Sequence, residues 1–168
     1  MKILKRFYPD GYVSSVYNIN FKRLYNHDFR AIIFDIDNTL VPQNAPSNKE
    51  IETLLKKLMS MGYKITLLSN NKKSRVEMFN KNIGTFSIHR ASEPAKRNYI
   101  KALKLMNVNP EKTVVIGDQL FTDIFGAKNV GIKTILVVPM KRKENFIIKI
   151  KRFPEKLILN KYRKRKIS

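Results

Sequence analysis

The 168-residue chain is 43% hydrophobic with only 6 glycines and 7 prolines, which predicts one globular domain large enough for a full core. It has no cysteine and only two isolated histidines, His27 and His89, which excludes disulfides, thiolate chemistry and a Cys- or His-based metal cluster. The formal charge of +21 points to polyanionic surfaces or substrates, and no stretch approaches the ~18 apolar residues of a membrane span.

The start, Met1 to Arg6, holds too short an apolar stretch for a signal peptide, so a cytoplasmic protein is expected. Residues 1–29 read as an extension: a Pro9-Asp10-Gly11 turn, then Val13, Val16, Ile19 and Leu24 interleaved with tyrosines without a clear period. This segment suits packing on the domain or contact with a partner. Ala31 to Asp35 is an apolar run of the kind that forms a buried parallel strand. It ends in Asp35-Ile36-Asp37-Asn38-Thr39-Leu40, and the loop to Pro46 is too short to hold a second domain.

Ser47 followed by Glu50 reads as a capping box for a helix carrying Ile51, Leu54, Leu55, Leu58 and Met59. Gly62 stops it. Lys64 to Leu68 is the second strand and ends in Ser69-Asn70-Asn71; a helix carrying Val76 and Phe79 follows to about Lys81. Gly84 to Ile88 forms a short third strand. Pro94 opens a helix with Tyr99, Ala102, Leu103 and Met106 on its apolar face. The fourth strand, Thr113 to Ile116, ends in Gly117-Asp118; a short helix spans roughly 122–129, and Thr134 to Val138 is the fifth strand. This alternation predicts an α/β, Rossmann-like three-layer sandwich around a mostly parallel sheet of about five strands, occupying residues 1–140.

Asp35, Asp37, Ser69, Asp118 and Asp123 all fall at or just beyond strand carboxyl ends, where open α/β sheets bind ligands. Any one of these aspartates reads as a helix cap or turn residue. Four of the thirteen acids of a basic chain at one sheet edge read as a divalent cation site, and hard oxygen donors favour Mg²⁺.

These stretches resemble motifs of the haloacid dehalogenase superfamily. Asp35-Ile36-Asp37-Asn38-Thr39-Leu40 is similar to motif I, Ser69 after its strand to motif II, and Gly117-Asp118-Gln119-Leu120-Phe121-Thr122-Asp123 to motif IV. Together with Gly126 and Gly131, and without a cap insertion, they resemble the YqeG-type class III phosphatases. That group is related to phosphatidylglycerophosphate phosphatases of plastids and mitochondria. The resemblance implies an Mg²⁺-dependent phosphatase acting through an aspartyl-phosphate. Asp35 is then the nucleophile and Asp37 the general acid and base. Mg²⁺ is held by the Asp35 carboxylate, the Asp37 carbonyl and Asp118, with Asp123 outside them as an orienting group. Asn38, Thr39, Ser69 and Asn70 bind the phosphoryl group.

One position departs from the family pattern. The lysine expected before the helix-opening proline is Glu93 here, so Lys96, one turn on, is the expected replacement, with Lys72 or Lys73 as alternatives.

Residues 141–168 form a basic tail with twelve Lys or Arg against Glu144 and Glu155, about half of the net charge. Phe146, Ile150, Phe153 and Leu157 recur at helical spacing, with Ile147 and Ile158 alongside and Pro154 as a kink or second start. Such a helix either docks on an anionic membrane, which suits a phospholipid substrate and a peripheral location, or packs on the sheet. The rival reading of the whole chain is a nucleic-acid- or ribosome-associated protein that keeps the fold with weak or no catalysis.

Overall fold

The computed structural model describes residues 4–91, 96–140 and 154–163. Six strands form one sheet: β1 (Gly11–Val13), β2 (Ala31–Phe34), β3 (Lys64–Leu68), β4 (Phe86–Ile88), β5 (Thr113–Gly117) and β6 (Lys133–Val137). Their order is β1-β6-β5-β2-β3-β4, and every neighbouring pair is parallel.

Both faces of the sheet are covered, and the strand residues divide by parity. Ile32, Phe34, Ile65, Leu67, Val114 and Ile116 join one apolar cluster with Ile51, Leu55 and Leu58 of α2 (Lys49–Ser60) and Val76 and Phe79 of α3 (Lys73–Asn80). Ala31, Ile33, Leu68 and Val115 point to the opposite face. There they meet Tyr99, Ala102, Leu103 and Met106 of α4 (Lys96–Met106). This two-residue alternation on fully buried strands is what a three-layer α/β/α sandwich requires.

Three sequence expectations change. The sheet has six strands, because Gly11–Val13 in the N-terminal extension pairs with β6. Asp10 fixes that pairing: its backbone N–H donates to the Thr134 carbonyl at 3.0 Å, and its carboxylate accepts from Thr134 N at 2.9 Å. The rest of the extension, including α1 (Phe21–Asn26), caps the first cluster, and the Tyr63 hydroxyl donates to the Phe21 carbonyl at 2.8 Å. Second, α2 is capped by Asn48, whose side chain accepts from Ile51 N at 2.9 Å, while Ser47 donates to Glu52 instead. Both residue types cap well, and the tertiary partner Glu52 decides between them. Third, the helix after β5 begins earlier, as a π-helical turn, Leu120–Ile124, running into α5 (Phe125–Lys128).

Residues 154–163 form a final helix, α6, starting at Pro154. Ile158 and Leu159 pack on Leu120, Ile124 and Leu136 beside Tyr12, and Glu155 and Tyr162 are buried. Within the described residues the helix therefore lies on the domain. Leu157, expected on the apolar face, is 55% exposed, because the inward face is set by Glu155, Ile158 and Tyr162. Glu93, Phe146, Ile147, Ile150 and Phe153 lie outside the described residues.

Candidate active site

The sheet order reverses at β2: β3 follows on one side and β5 lies on the other. Ligands of open α/β sheets bind at such a switch point, beyond the strand carboxyl ends. Asp35 follows β2 and Asp118 follows β5, and Phe34 and Ile116 are paired across these strands. Chain registry therefore sets the two acids side by side.

Carboxylate oxygens of Asp35, Asp118 and Asp123 lie within 4.8 Å of one another. Asp118 and Asp123 are each 2% exposed. The Asp123 carboxylate thus lies within the same 4.8 Å cluster as the other two acids. Gly117 makes this approach feasible, since a Cβ there would fall 2.2 Å from Asp123 Oδ2. Three carboxylates this close repel one another and resist burial. A divalent cation relieves both penalties, and an all-oxygen, thiol-free and imidazole-free donor set fits a hard ion such as Mg²⁺.

The loop after β2 folds back on itself. Asn38 adopts the left-handed conformation (φ 63°) that asparagine tolerates, and its N–H donates to the Val41 carbonyl at 2.7 Å. Thr39, fully buried, donates through Oγ1 to Asp35 Oδ2 at 3.0 Å and so sets the rotation of that carboxylate.

Asp37 takes no part in the acid cluster through its side chain. Its Oδ1 accepts from Asn44 N at 2.7 Å and lies 3.5 Å from Arg75 Nη2; its Oδ2 accepts from the Asn71 amide. Asn71 in turn donates from its backbone N–H to Ser69 Oγ at 3.2 Å. Ser69, at the end of β3, is 1% exposed and its N–H donates to the Ile88 carbonyl at 3.0 Å. Asn70 is exposed.

Sequence reasoning missed Arg75 and Asn71. Arg75, on the first turns of α3, also donates to the Ala45 carbonyl and lies over the Phe79 ring, 5.5 Å from its centroid. Asn71 carried a signal as the third residue of Ser-Asn-Asn; Arg75 looked like one more surface cation. The expected cation, Lys96, is exposed at the start of α4 and forms no ion pair among the described residues. Lys72 is exposed, and Lys73 pairs with Glu77 at 3.6 Å.

The model of the haloacid dehalogenase-like hydrolases matches residues 43–131. The chain is 35% identical over 160 residues to the "Probable phosphatase YqeG" of Bacillus subtilis, covering 94% of this chain and 93% of that one. It is 51% identical over 43 residues to the glyceraldehyde 3-phosphate phosphatase of Pyrococcus furiosus, which covers 26% of this chain and 18% of that one. Among solved structures, an uncharacterized protein from Listeria monocytogenes serotype 4b aligns over 70% of this chain and 84% of its own, with a TM-score of 0.55 at 20% identity. A Xanthomonas campestris protein aligns over 74% of this chain and 72% of its own, with a TM-score of 0.57 at 14% identity. At these identities the two structures speak to the fold alone.

Proposed function

The chain belongs to the haloacid dehalogenase-like hydrolases and is a phosphatase, and on that premise we propose that it cleaves phosphomonoesters in two steps through Asp35. The observation that carries this reading is the clustering of Asp35 with Asp118 and Asp123 at the carboxyl ends of adjacent strands.

Asp35 is the nucleophile: with Oδ2 held by Thr39, the carboxylate attacks phosphorus, a bond to Asp35 forms and the ester P–O bond breaks. Asp37 in its protonated form delivers a proton to the departing oxygen, and the carboxylate this leaves is the form that pairs with Arg75. Water then attacks the aspartyl-phosphate and loses a proton to Asp37, which regenerates both acids and releases inorganic phosphate. Mg²⁺ would be held by Asp35, Asp118 and Asp123, with the Asp37 carbonyl, and would supply charge neutralisation for the phosphoryl group. Ser69, with backbone N–H groups near Asn70 and in the loop that carries Asn38 and Thr39, binds phosphoryl oxygens, while the Asn38 and Thr39 amides themselves hold that loop in shape. Arg75 and Asn71 hold Asp37 beside the reaction centre.

The loop between β2 and α2 carries no cap, so the site admits a phosphate on a large or surface-bound substrate. A phospholipid headgroup phosphate, phosphatidylglycerophosphate first, is the substrate to test. The charge of +21 supports approach to an anionic membrane surface, and no described helix is long and apolar enough to cross one.

The test is hydrolysis of p-nitrophenyl phosphate and of phosphatidylglycerophosphate in mixed vesicles, with Mg²⁺, by the protein and its Asp35→Asn variant. Turnover of both by the parent and of neither by the variant is expected. Turnover of the small ester alone removes the lipid substrate. No turnover of either, or unchanged turnover by Asp35→Asn, overturns the mechanism.

A further inference from the structure

Glu155 is a buried acid that the reaction above does not use. It lies on α6, is 5% exposed, and sits 32 residues beyond Asp123 in the chain. A carboxylate taken out of water needs strong partners. Oε1 of Glu155 accepts from Leu120 N at 2.9 Å and from Phe121 N at 3.4 Å.

Those two amides open the π-helical turn that joins Asp118 to Asp123. The first N–H groups of a helix have no partner within it and need one from elsewhere. Gln119, at the cap position, provides no side-chain hydrogen bond. The turn meets its demand from two acids: Asp123 Oδ2 accepts from Gln119 N at 3.0 Å, and Glu155 takes the next two donors. The arrangement works as a helix cap whose acceptor comes from a distant segment. It fixes the backbone between the two acids that lie closest to β5. Ile158 and Leu159, one turn on, anchor α6 to Leu120, Ile124 and Leu136, so Glu155 is held in place by an apolar contact of its own. Glu155 and Asp118 line the same cleft.

We infer that Glu155 is a positioning residue for the metal-binding loop, and that α6, which lies beyond the 43–131 match to the family, is a working part of the active site. The inference rests on the proposed cation role of Asp118 and Asp123. Glu155 touches neither substrate nor cation: it acts by holding Leu120 and Phe121, and through them the separation and orientation of the two aspartates. Loss of a hydrogen-bonding partner behind metal ligands typically lowers metal affinity about 10–100-fold.

The experiment uses the whole 168-residue chain and four variants: Glu155→Ala, Glu155→Gln, Glu155→Asp and, on the exposed side of the same helix, Leu157→Ser. Mg²⁺ binding is measured by calorimetry, with kcat and KM for p-nitrophenyl phosphate alongside. Glu155→Ala is expected to weaken Mg²⁺ binding about 10–100-fold and to lower kcat at fixed Mg²⁺ with little change in KM. Glu155→Gln keeps an acceptor oxygen at the same reach and recovers most of the affinity. Glu155→Asp, one methylene short, behaves like Ala and serves in its place if that variant does not fold. Leu157→Ser matches the parent.

Parent-like Mg²⁺ binding in Glu155→Ala or Glu155→Asp overturns the inference. So does a loss in Leu157→Ser equal to that in Glu155→Ala, which would mark general destabilisation of α6. If the parent itself binds no Mg²⁺, the cation reading of Asp118 and Asp123 fails, and the role of Glu155 fails with it.

Discussion

Arg75 Nη2 lies 3.5 Å from Asp37 Oδ1, with both side chains only 17% exposed. An ion pair this sheltered is screened less than a surface pair and holds its geometry better. Arg75 also donates to the Ala45 carbonyl, so its guanidinium bridges α3 and the loop that carries Asp37. Arg75→Ala should therefore misplace Asp37, the proposed proton donor, without removing it, and lower kcat by roughly 10²-fold. Arg75→Lys should restore part of this, because a lysine supplies a charged donor but not the planar guanidinium that lies over Phe79. Steady-state kinetics on the two variants decide the matter: equal losses in kcat would mean that the guanidinium itself is essential, and no loss in either would remove Arg75 from the site.

The two aspartates of the β2 loop should separate by leaving group. On the proposed mechanism Asp35→Asn removes the nucleophile and should abolish turnover of every phosphomonoester. Asp37→Asn removes only the proposed proton donor and should cost about 10²–10⁴-fold with an alkyl phosphate. With p-nitrophenyl phosphate the loss should be much smaller, since nitrophenolate departs without being protonated. A paired assay on the two esters tests the assignment, and an equal loss on both would exclude Asp37 as the general acid.

Asp118 shares with Asp35 and Asp123 the acid cluster proposed above to hold a cation. Asp118→Asn should abolish Mg²⁺-dependent activity and at the same time relieve repulsion with Asp35 and Asp123. In the presence of a chelator its Tm should exceed that of the parent by about 2–4 °C per kcal/mol of repulsion removed. Added Mg²⁺ should raise the Tm of the parent and leave the variant unmoved. Thermal melts of both proteins with and without Mg²⁺ check this, and a variant that melts below the chelated parent would show that the three acids are stabilised by other contacts.

The acids at the strand ends were legible because their context is local. The segment between Gly62 and Ser69, with Tyr63, Ile65, Leu67 and Leu68 as its apolar residues, gives β3 its observed bounds, and the positions of Asp35 and Asp118 follow from such strands. The sixth strand was not legible. Gly11–Val13 is three residues long and only half-buried, and its pairing depends on Asp10 and Thr134, 124 residues apart. Arg75 and Glu155 escaped for the same reason. Each sits in a charged stretch that reads as solvated surface, and its role is decided by partners 30 or more residues distant. Periodicity encodes which face is buried and says little about which charged group crosses into it.

Tyr63 links the N-terminal extension to the domain and should show itself in alkaline titration. Burial pushes its hydroxyl up to about 12, Arg30 nearby works against this, and Tyr25 adds to it. The folded chain thus holds the phenol neutral above the ordinary value of 10. Its contribution is complete below pH 10 and is lost as the pH rises through about 12. Tyr63→Phe leaves the Phe21 carbonyl without this donor, at about 1–3 kcal/mol, and should flatten the alkaline fall in stability. Denaturant melts from neutral pH upward should show both effects, and an unchanged alkaline limb in the variant would assign that limb to another group.

Asp10 makes the corresponding prediction on the acid side, and ties it to the active site. Burial opposes its ionisation, but the Thr134 amide, Lys128 and Lys133 outweigh that and hold the carboxyl below its usual range. Because the folded state keeps Asp10 ionised to lower pH than the unfolded chain does, its contribution is full above the ordinary carboxylate value and is lost as pH falls through the folded one. Asp10→Asn should lower stability at neutral pH and flatten the decline that sets in as the pH falls below the ordinary carboxylate value. The change should also be local. Asp10 closes the pairing of β1 with β6, β1 carries Tyr12, and Tyr12 packs in the cluster that seats α6 against Leu120. Amide exchange should therefore quicken in β1 and in the Leu120–Phe121 amides held by Glu155 before the central strands β2 and β5 respond. Faster exchange confined to β1 would show that α6 keeps its seat without the edge strand, whereas a uniform rise across the sheet would mean that β1 and the core unfold as one unit.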